Sequence, residues 1–416
     1  MFTFLFFALS GNLYADEKKP FDSWSGRLSI QTIVSDSKRL GDSVEVMLTN
    51  LLRLTREEEI NNTTEYEIHL LTGWTQSTME STFSTQVFDF SPENFKYRTA
   101  DLTWDANDNL AQTLFLSVDR LNARFKLSDA DITIGRQAIT FGKAWFWNPL
   151  DNYLPFSART IDRDYKAGVD AIRVDIPLGN FSGINLIGVA GRKFNITDTG
   201  YEDGENFDCD WFGSSILMRY FTSVSGWDYS LQGGKVYGGY QLGGGFVGEI
   251  GEYQVRGEAA YLYVDDYQPI PFSDYNISDD HLEMAIGLGR WYANNLNMDF
   301  EYFYNGAAIR DDLTMSLVRL QLDANRHLSR NLIGANVTYE FHPLINGQLA
   351  LIYAVDDSSL SIQPNLLYSI NDETDFRISA SLNLGESPDT STNPATPQSE
   401  FGSYPNIIYA EIKYYF

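Results

Sequence analysis

The densest concentration of chemically active side chains lies between Asp131 and Gly179, in DITIGRQAITFGKAWFWNPLDNYLPFSARTIDRDYKAGVDAIRVDIPLG. The cations Arg136, Lys143, Arg159, Arg163 and Lys166 are interleaved there with the carboxylates Asp151, Asp162 and Asp164, and Arg173 follows on the next alternating run. Set across a water-filled passage, opposed charges produce a transverse field that orients hydrated solutes. Set against each other, they tie a loop together as ion pairs. Both readings hold at once where anchored charges still shape the field.

Nothing in the sequence assembles a catalytic set. The four histidines, His69, His281, His327 and His342, form no i, i+4 pair and no metal-spaced cluster with the single cysteine, Cys209. His281, His327 and His342 fall near expected strand ends, where solvated histidines are common. The acidic stretches at Tyr201 to Glu205 and Asp356 to Ser359 offer oxygens to Ca²⁺, but acidic loops carry such groups without specific binding. GGKVYGGYQLGGG at 233–245 lacks the GK[ST] context of a phosphate loop. The expectation is no catalysis, no metal and no cofactor, and with no CxxCH motif any haem would have to come from a partner.

The elements that position these residues are strands. Runs of about 8 to 12 residues alternate apolar with polar side chains, close to the length a tilted strand needs to cross a bilayer. Ser25 to Val34, Glu65 to Trp74, Ala167 to Ile176, Tyr253 to Val264, Leu296 to Tyr304, Asn331 to Phe341, Gly347 to Val355 and Asp375 to Leu384 are clear cases. In PNIIYAEIKYYF, the last such run, Ile408, Ala410, Ile412, Tyr414 and Phe416 face one way and Tyr409, Glu411 and Lys413 the other. Arg27, Arg124, Lys126, Arg173, Arg256, Arg377 and Lys413 take the polar face throughout, as do His69, Glu258, Asp299, Glu301 and Glu411. A charge on the lipid face at mid-membrane would cost roughly 2–4 kcal/mol, so the polar face must be a wet lumen.

The expected fold is an all-β, closed, antiparallel transmembrane barrel of 18–22 strands over residues 25–416, with a constriction loop at 141–166. Trp145, Phe146, Trp147, Tyr153 and Phe156 would pack that loop against the inner wall, since a loop of this size stays ordered only by burying its aromatics. Short turns are expected at 105–108, 177–180, 292–295 and 342–347, and long loops near 75–94, 141–166, 192–210, 265–280 and 385–404. Direct counting gives 20 or 21 strands, depending on whether Leu110 to Leu127 is one strand or a hairpin; its apolar parity shifts at Arg120-Leu121, as a bulge or a turn would produce. An odd count would leave the termini on opposite sides of the membrane, and a parity conflict persists between 281 and 384.

Composition agrees. There are 25 Tyr and 27 Phe, suited to interfacial girdles, and a formal net charge of −26, which disfavours nucleic acid and anionic lipid surfaces as partners. Residues 1–15, MFTFLFFALSGNLYA, read as a secretory signal followed by a short lead at 16–24. No other segment approaches the roughly 18 apolar residues of a transmembrane helix.

The GRQ…G…NPLD pattern within residues 131–179, with the terminal Phe416, resembles the large outer-membrane barrels of the porin and alginate-export-like type. That resemblance, strongest over about fifty residues, implies residence in a bacterial outer membrane with its lipid as partner, and Phe416 as the signal read by the assembly machinery. The alternating strands and polar inner face point to passive diffusion of small hydrophilic solutes or ions. Two other readings stay open: a sleeve around a periplasmic multihaem cytochrome, which a polar lumen also suits, and a polysaccharide export channel, which the resemblance alone implies. Oligomer state is not encoded in the pattern.

Overall fold

The computed structural model describes residues 24–36, 44–78, 96–109, 111–160, 162–193, 195–197, 200–202, 209–271, 273–391 and 395–416. The signal-like residues 1–15, nearly all of the 16–24 lead and most of the 75–94 connection lie outside them. In chain order the strands are β1 (Ser25–Asp36), β2 (Val44–Asn61), β3 (Thr64–Ser77), β4 (Thr103–Asn109), β5 (Gln112–Lys126), β6 (Asp131–Gln137), β7 (Val169–Pro177), β8 (Ser182–Val189), β9 (Asn195–Thr197) and β10 (Gly200–Glu202). They continue with β11 (Ser215–Val224), β12 (Trp227–Val236), β13 (Gly239–Ile250), β14 (Tyr253–Val264), β15 (His281–Trp291), β16 (Leu296–Asn305), helix α1 (Leu313–Gln321), β17 (Asn331–His342), β18 (Ile345–Ala354), β19 (Leu360–Asn371), β20 (Thr374–Leu384) and β21 (Ile407–Tyr415).

Eighteen of these close an antiparallel ring, sealed where β1 pairs with β21 from Arg27↔Tyr415 to Ser35↔Ile407. Every edge strand of the ring is thereby paired, which is what allows a sheet to sit in hydrocarbon. The even number puts both ends of the ring on the same rim, together with the turns after β2, β5, β7, β11, β13, β15, β17 and β19. At that seam Gly26 and Phe416 exchange backbone hydrogen bonds of 2.8 and 3.1 Å, and the Phe416 ring lies over the site that a Gly26 side chain would fill.

Within the expected 192–210 long loop, β9 and β10 form a separate two-stranded hairpin outside the ring. β4 is a half-strand: β3 covers one edge of β5, while β4 pairs with its Gln112–Ser117 half and β6 with its Leu121–Lys126 half, so β4 and β6 share one place in the wall. The expected turn at 105–108 therefore lies inside β4, and only residues 343–344 of the expected 342–347 turn separate strands. The parity conflict between 281 and 384 disappears because two unlike connections leave the same rim. Residues 306–330, with α1, make a long one and residues 355–359 a short one.

Leu110 to Leu127 holds one strand with a bulge. His69 pairs with Arg120 but Leu70 with Val118, which leaves Asp119 unpaired, so Asp119 and Arg120 both point inward. Elsewhere the alternation is as expected: on β21, Ile408, Ile412 and Tyr414 are exposed, while Tyr409, Glu411 and Lys413 are buried. Exposed aromatics mark both rims, among them Phe181, Trp291 and Phe341 at the short-turn end and Trp104, Trp211 and Tyr263 at the other. Among the described residues no helix is long and apolar enough to cross a membrane.

Candidate functional site

Between β6 and β7 the chain leaves the wall at residue 138 and returns at 168, folding into the lumen. Its two ends pack on different parts of the ring. Ile139, Phe141 and Tyr153 join Val169, Ala171, Ile187, Val189, Leu217 and Val236 on β7, β8, β11 and β12. Phe146, Trp147 and Ala158 join Ala285, Phe303, Leu332 and Ile352 on β15 to β18, with Phe401 and Tyr404 from the 385–406 loop. Trp147 stacks on Phe303, with centroids 5.3 Å apart and planes 8° apart. Trp145 is partly buried against this second cluster, and Phe156 belongs to neither.

Two wall carboxylates grip the loop backbone from outside. Glu301 on β16 accepts the N–H groups of Trp145 and Trp147 at 2.8 Å each and of Phe146 at 3.1 Å. Glu258 on β14 accepts those of Lys143 and Leu150. Three successive N–H groups converging on one carboxylate explain how a segment with no regular secondary structure satisfies its buried backbone. Both acids are lumenal by alternation, but nothing in local sequence links them to a loop more than a hundred residues away.

On the opposite side the polarity reverses, with loop carboxylates meeting wall cations. Asp164 lies 2.9 Å from Arg27 and 2.6 Å from Lys413, and Asp162 lies 3.1 Å from Lys413, 3.3 Å from Arg27 and 3.9 Å from Arg377. Burial alone would raise the Asp162 carboxyl, but Lys413, Arg27 and Arg377 outweigh it and hold it down at about 2. Between these residues, the Tyr165 ring is flanked by the guanidiniums of Arg27 and Arg53, 4.7 and 4.4 Å from its centroid. The loop thus runs across the lumen with an acid-to-amide clamp at one end and an acid-to-cation clamp at the other.

The remaining charges expected to face one another do so only in part. Lys166 and Asp151 pair at 2.6 Å, both 6% exposed, and tie the loop to itself. Burial raises the Asp151 carboxyl and lowers the Lys166 ammonium, and the charge of each partner works against the other's shift. Arg136 pairs with Asp170 at 2.7 Å, Lys143 with Asp228 at 3.5 Å and Arg173 with Asp175 at 2.8 Å. Arg163 donates to the carbonyls of Trp145, Ser157, Ala158 and Thr160 within its own loop, and Arg159 stacks 3.6 Å from the centre of the Tyr404 ring. The bulge residue Asp119 joins Arg53 and Arg98 at 2.5 and 2.6 Å.

Two other loops reinforce the crossing. Arg326, in the α1 loop, donates to the carbonyls of Asn148 and Asp151. His327 is not a solvated strand-end histidine: it is 2% exposed, accepts from Trp147 Nε1 at 2.9 Å and meets Glu400 at 2.9 Å. Because its Nε2 is the acceptor, its Nδ1 carries the proton and donates to Glu400. Glu400 also accepts the Ser329 N–H at 2.7 Å. Asp356 and Asp357, weighed above as Ca²⁺ ligands, accept from Arg330, Asn331, Ser359 and Glu400 backbone N–H groups instead. The glycine-rich 233–245 segment is the β12–β13 hairpin, its Gly238 at φ +70°, and Cys209 is a free, exposed thiol.

No protein-family model and no curated protein matches this sequence. Solved structures do. Acinetobacter baumannii OccAB4 superposes with a TM-score of 0.54 at 7% identity, covering 96% of this chain and 100% of that one. Pseudomonas aeruginosa OccK8 (OprE) gives 0.55 at 9% identity over 94% of this chain and 97% of that one. Pseudomonas aeruginosa OpdK, solved with vanillate, gives 0.54 at 9% identity over 94% and 98%. At such identities the likeness carries architecture alone, and it agrees with the ring described above: this chain has the fold of the outer-membrane β-barrel porins.

Proposed function

We propose that the chain is a passive diffusion channel of the bacterial outer membrane, admitting small hydrophilic solutes or ions through a lumen narrowed by the 138–168 loop. The observation that carries this reading is the pairing of an apolar exterior with an inner wall of charged and amide side chains, crossed by one loop clamped at both ends. Similarity to porins, one of them solved with vanillate, supports a small-molecule cargo. A sleeve around a cytochrome is less well supported, because the chain's own 138–168, 306–330 and 385–406 loops are bonded to one another inside the ring.

Liposomes containing the purified barrel should swell in isotonic solutions of small sugars and amino acids, at rates falling with solute size. Liposomes that stay shut to every small solute would contradict the proposal. A haem protein co-purifying in stoichiometric amount would favour the sleeve.

A further inference from the structure

Near the short-turn rim the lumen holds a group that the channel reading does not use. The β2–β3 register sets Glu57 opposite Glu67 and Thr55 opposite His69, placing two carboxylates and an imidazole on one inward face. Their ligand atoms lie within 4.8 Å of one another. His69 Nε2 is 3.2 Å from Glu67 Oε1 and 3.5 Å from Glu57 Oε1. His69 is 2% exposed, and the long contact to Glu57 is the one hydrogen bond its Nε2 makes among the described residues. A buried imidazole left so poorly bonded calls for an explanation.

We infer that Glu57, Glu67 and His69 form a binding site for a divalent transition-metal cation of the Zn²⁺ class. Ligands held at about 2.0–2.2 Å from a tetrahedral metal stand roughly 3.3–3.5 Å apart, close to the 3.2 and 3.5 Å that separate His69 Nε2 from the two carboxylates. The set combines one imidazole and two carboxylates, a donor mixture such cations accept. Glu67 is held in place by Arg120, which donates to its Oε1 at 2.7 Å, and by Asn122, which donates to its Oε2 at 2.8 Å, as an outer shell fixes a ligating carboxylate. The Tyr165 ring meets His69 edge-on at 6.1 Å. Glu57 and Glu67 line a cavity of about 560 Å³, and the Glu57 side chain is 68% exposed, so a cation has a path in and a fourth position open to water. Arg120 and Arg124 oppose a cation by charge, while Glu57, Glu58, Glu59, Glu65 and Glu67 line the same cavity, Glu59 and Glu65 facing Lys126. The site stands whether or not the lumen conducts.

The test uses the full barrel purified from membranes, titrated with Zn²⁺ by calorimetry and with Co²⁺ by visible absorption. One saturable equivalent per chain is expected, with the intense visible band of four-coordinate Co²⁺. His69→Ala and Glu57→Gln should each weaken it by at least tenfold. Glu252→Gln, in the β13–β14 turn where it pairs with Arg290 and outside this cavity, should leave it unchanged. Should H69A fail to reach the membrane as a folded barrel, E57Q decides alone, because its side chain is mostly solvent-exposed. Absence of a saturable equivalent, or equal affinity in wild type and E57Q, would overturn the site.

Discussion

The Glu301 carboxylate, on the inner face of β16, accepts the backbone N–H of Trp147 at 2.8 Å and is fully buried doing so. A wall residue thus fixes the backbone of a loop residue 154 positions earlier in the chain. With Glu258 it forms one end of the clamp that keeps the 138–168 loop across the lumen.

Glu301→Gln should loosen that end. The neutral amide keeps one acceptor oxygen but brings donors toward three N–H groups, and a charge-assisted bond is worth about 1.5–3 kcal/mol. Single-channel recordings should show larger, noisier openings. The barrel itself should still form, because the ring hydrogen bonds are untouched.

Asp162 sets the acid limit of the opposite end. Its folded carboxyl titrates at about 2, below the roughly 3.8 of an unfolded aspartate. A depressed carboxyl contributes stability that is fully present above the unfolded value and is lost as pH falls through the folded one. The contribution of this end of the clamp to conductance should therefore be fully present above about pH 4 and be lost between about 4 and 2. Asp162→Asn should already have the acid-form conductance at neutral pH.

Asp164 covers Arg27 and Lys413 while keeping its own side chain 36% exposed. Asp164→Asn should uncover positive charge where the loop meets the wall. Reversal potentials under a salt gradient should shift toward anions, with the permeability ratio changing about two- to fivefold, the equivalent of roughly 0.4–1 kcal/mol for a partly screened charge. An unchanged reversal potential would place the solute path elsewhere in the lumen.

Trp147→Phe retains the stacked ring but removes the donor to His327 Nε2, stranding a buried acceptor. The cost should be about 1–3 kcal/mol. It should appear as a lower unfolding temperature of the loop-dependent transition, with His327→Gln giving a smaller loss.

Much of this was legible in the residues. Lipid permits no exposed polar backbone and few charges, so alternation along β16, β20 and β21 already fixed which side chains face the lumen. The parity shift near Arg120 coincides with a bulge, and of the loop aromatics Phe146, Trp147 and Tyr153 lie in clusters with wall residues, Trp145 is partly buried and Phe156 is in neither cluster. What could not be read is what depends on long-range register. Glu301 under Trp147, Asp162 against Lys413, Asp119 between Arg53 and Arg98, and His327 between Trp147 and Glu400 are all contacts between distant segments. The turn expected at 105–108 falls inside β4 for a similar reason, since sharing an edge with β6 is a property of the closed ring and not of either strand.

Single-channel conductance in planar bilayers, measured for the full chain and for the chain lacking residues 145–156, tests the central claim most directly. Discrete steps from the full chain, rising to larger steps when the loop is shortened, are the expected result. A full-length barrel that inserts but does not conduct, or a deletion that leaves the steps unchanged, would contradict a diffusion channel narrowed by that loop.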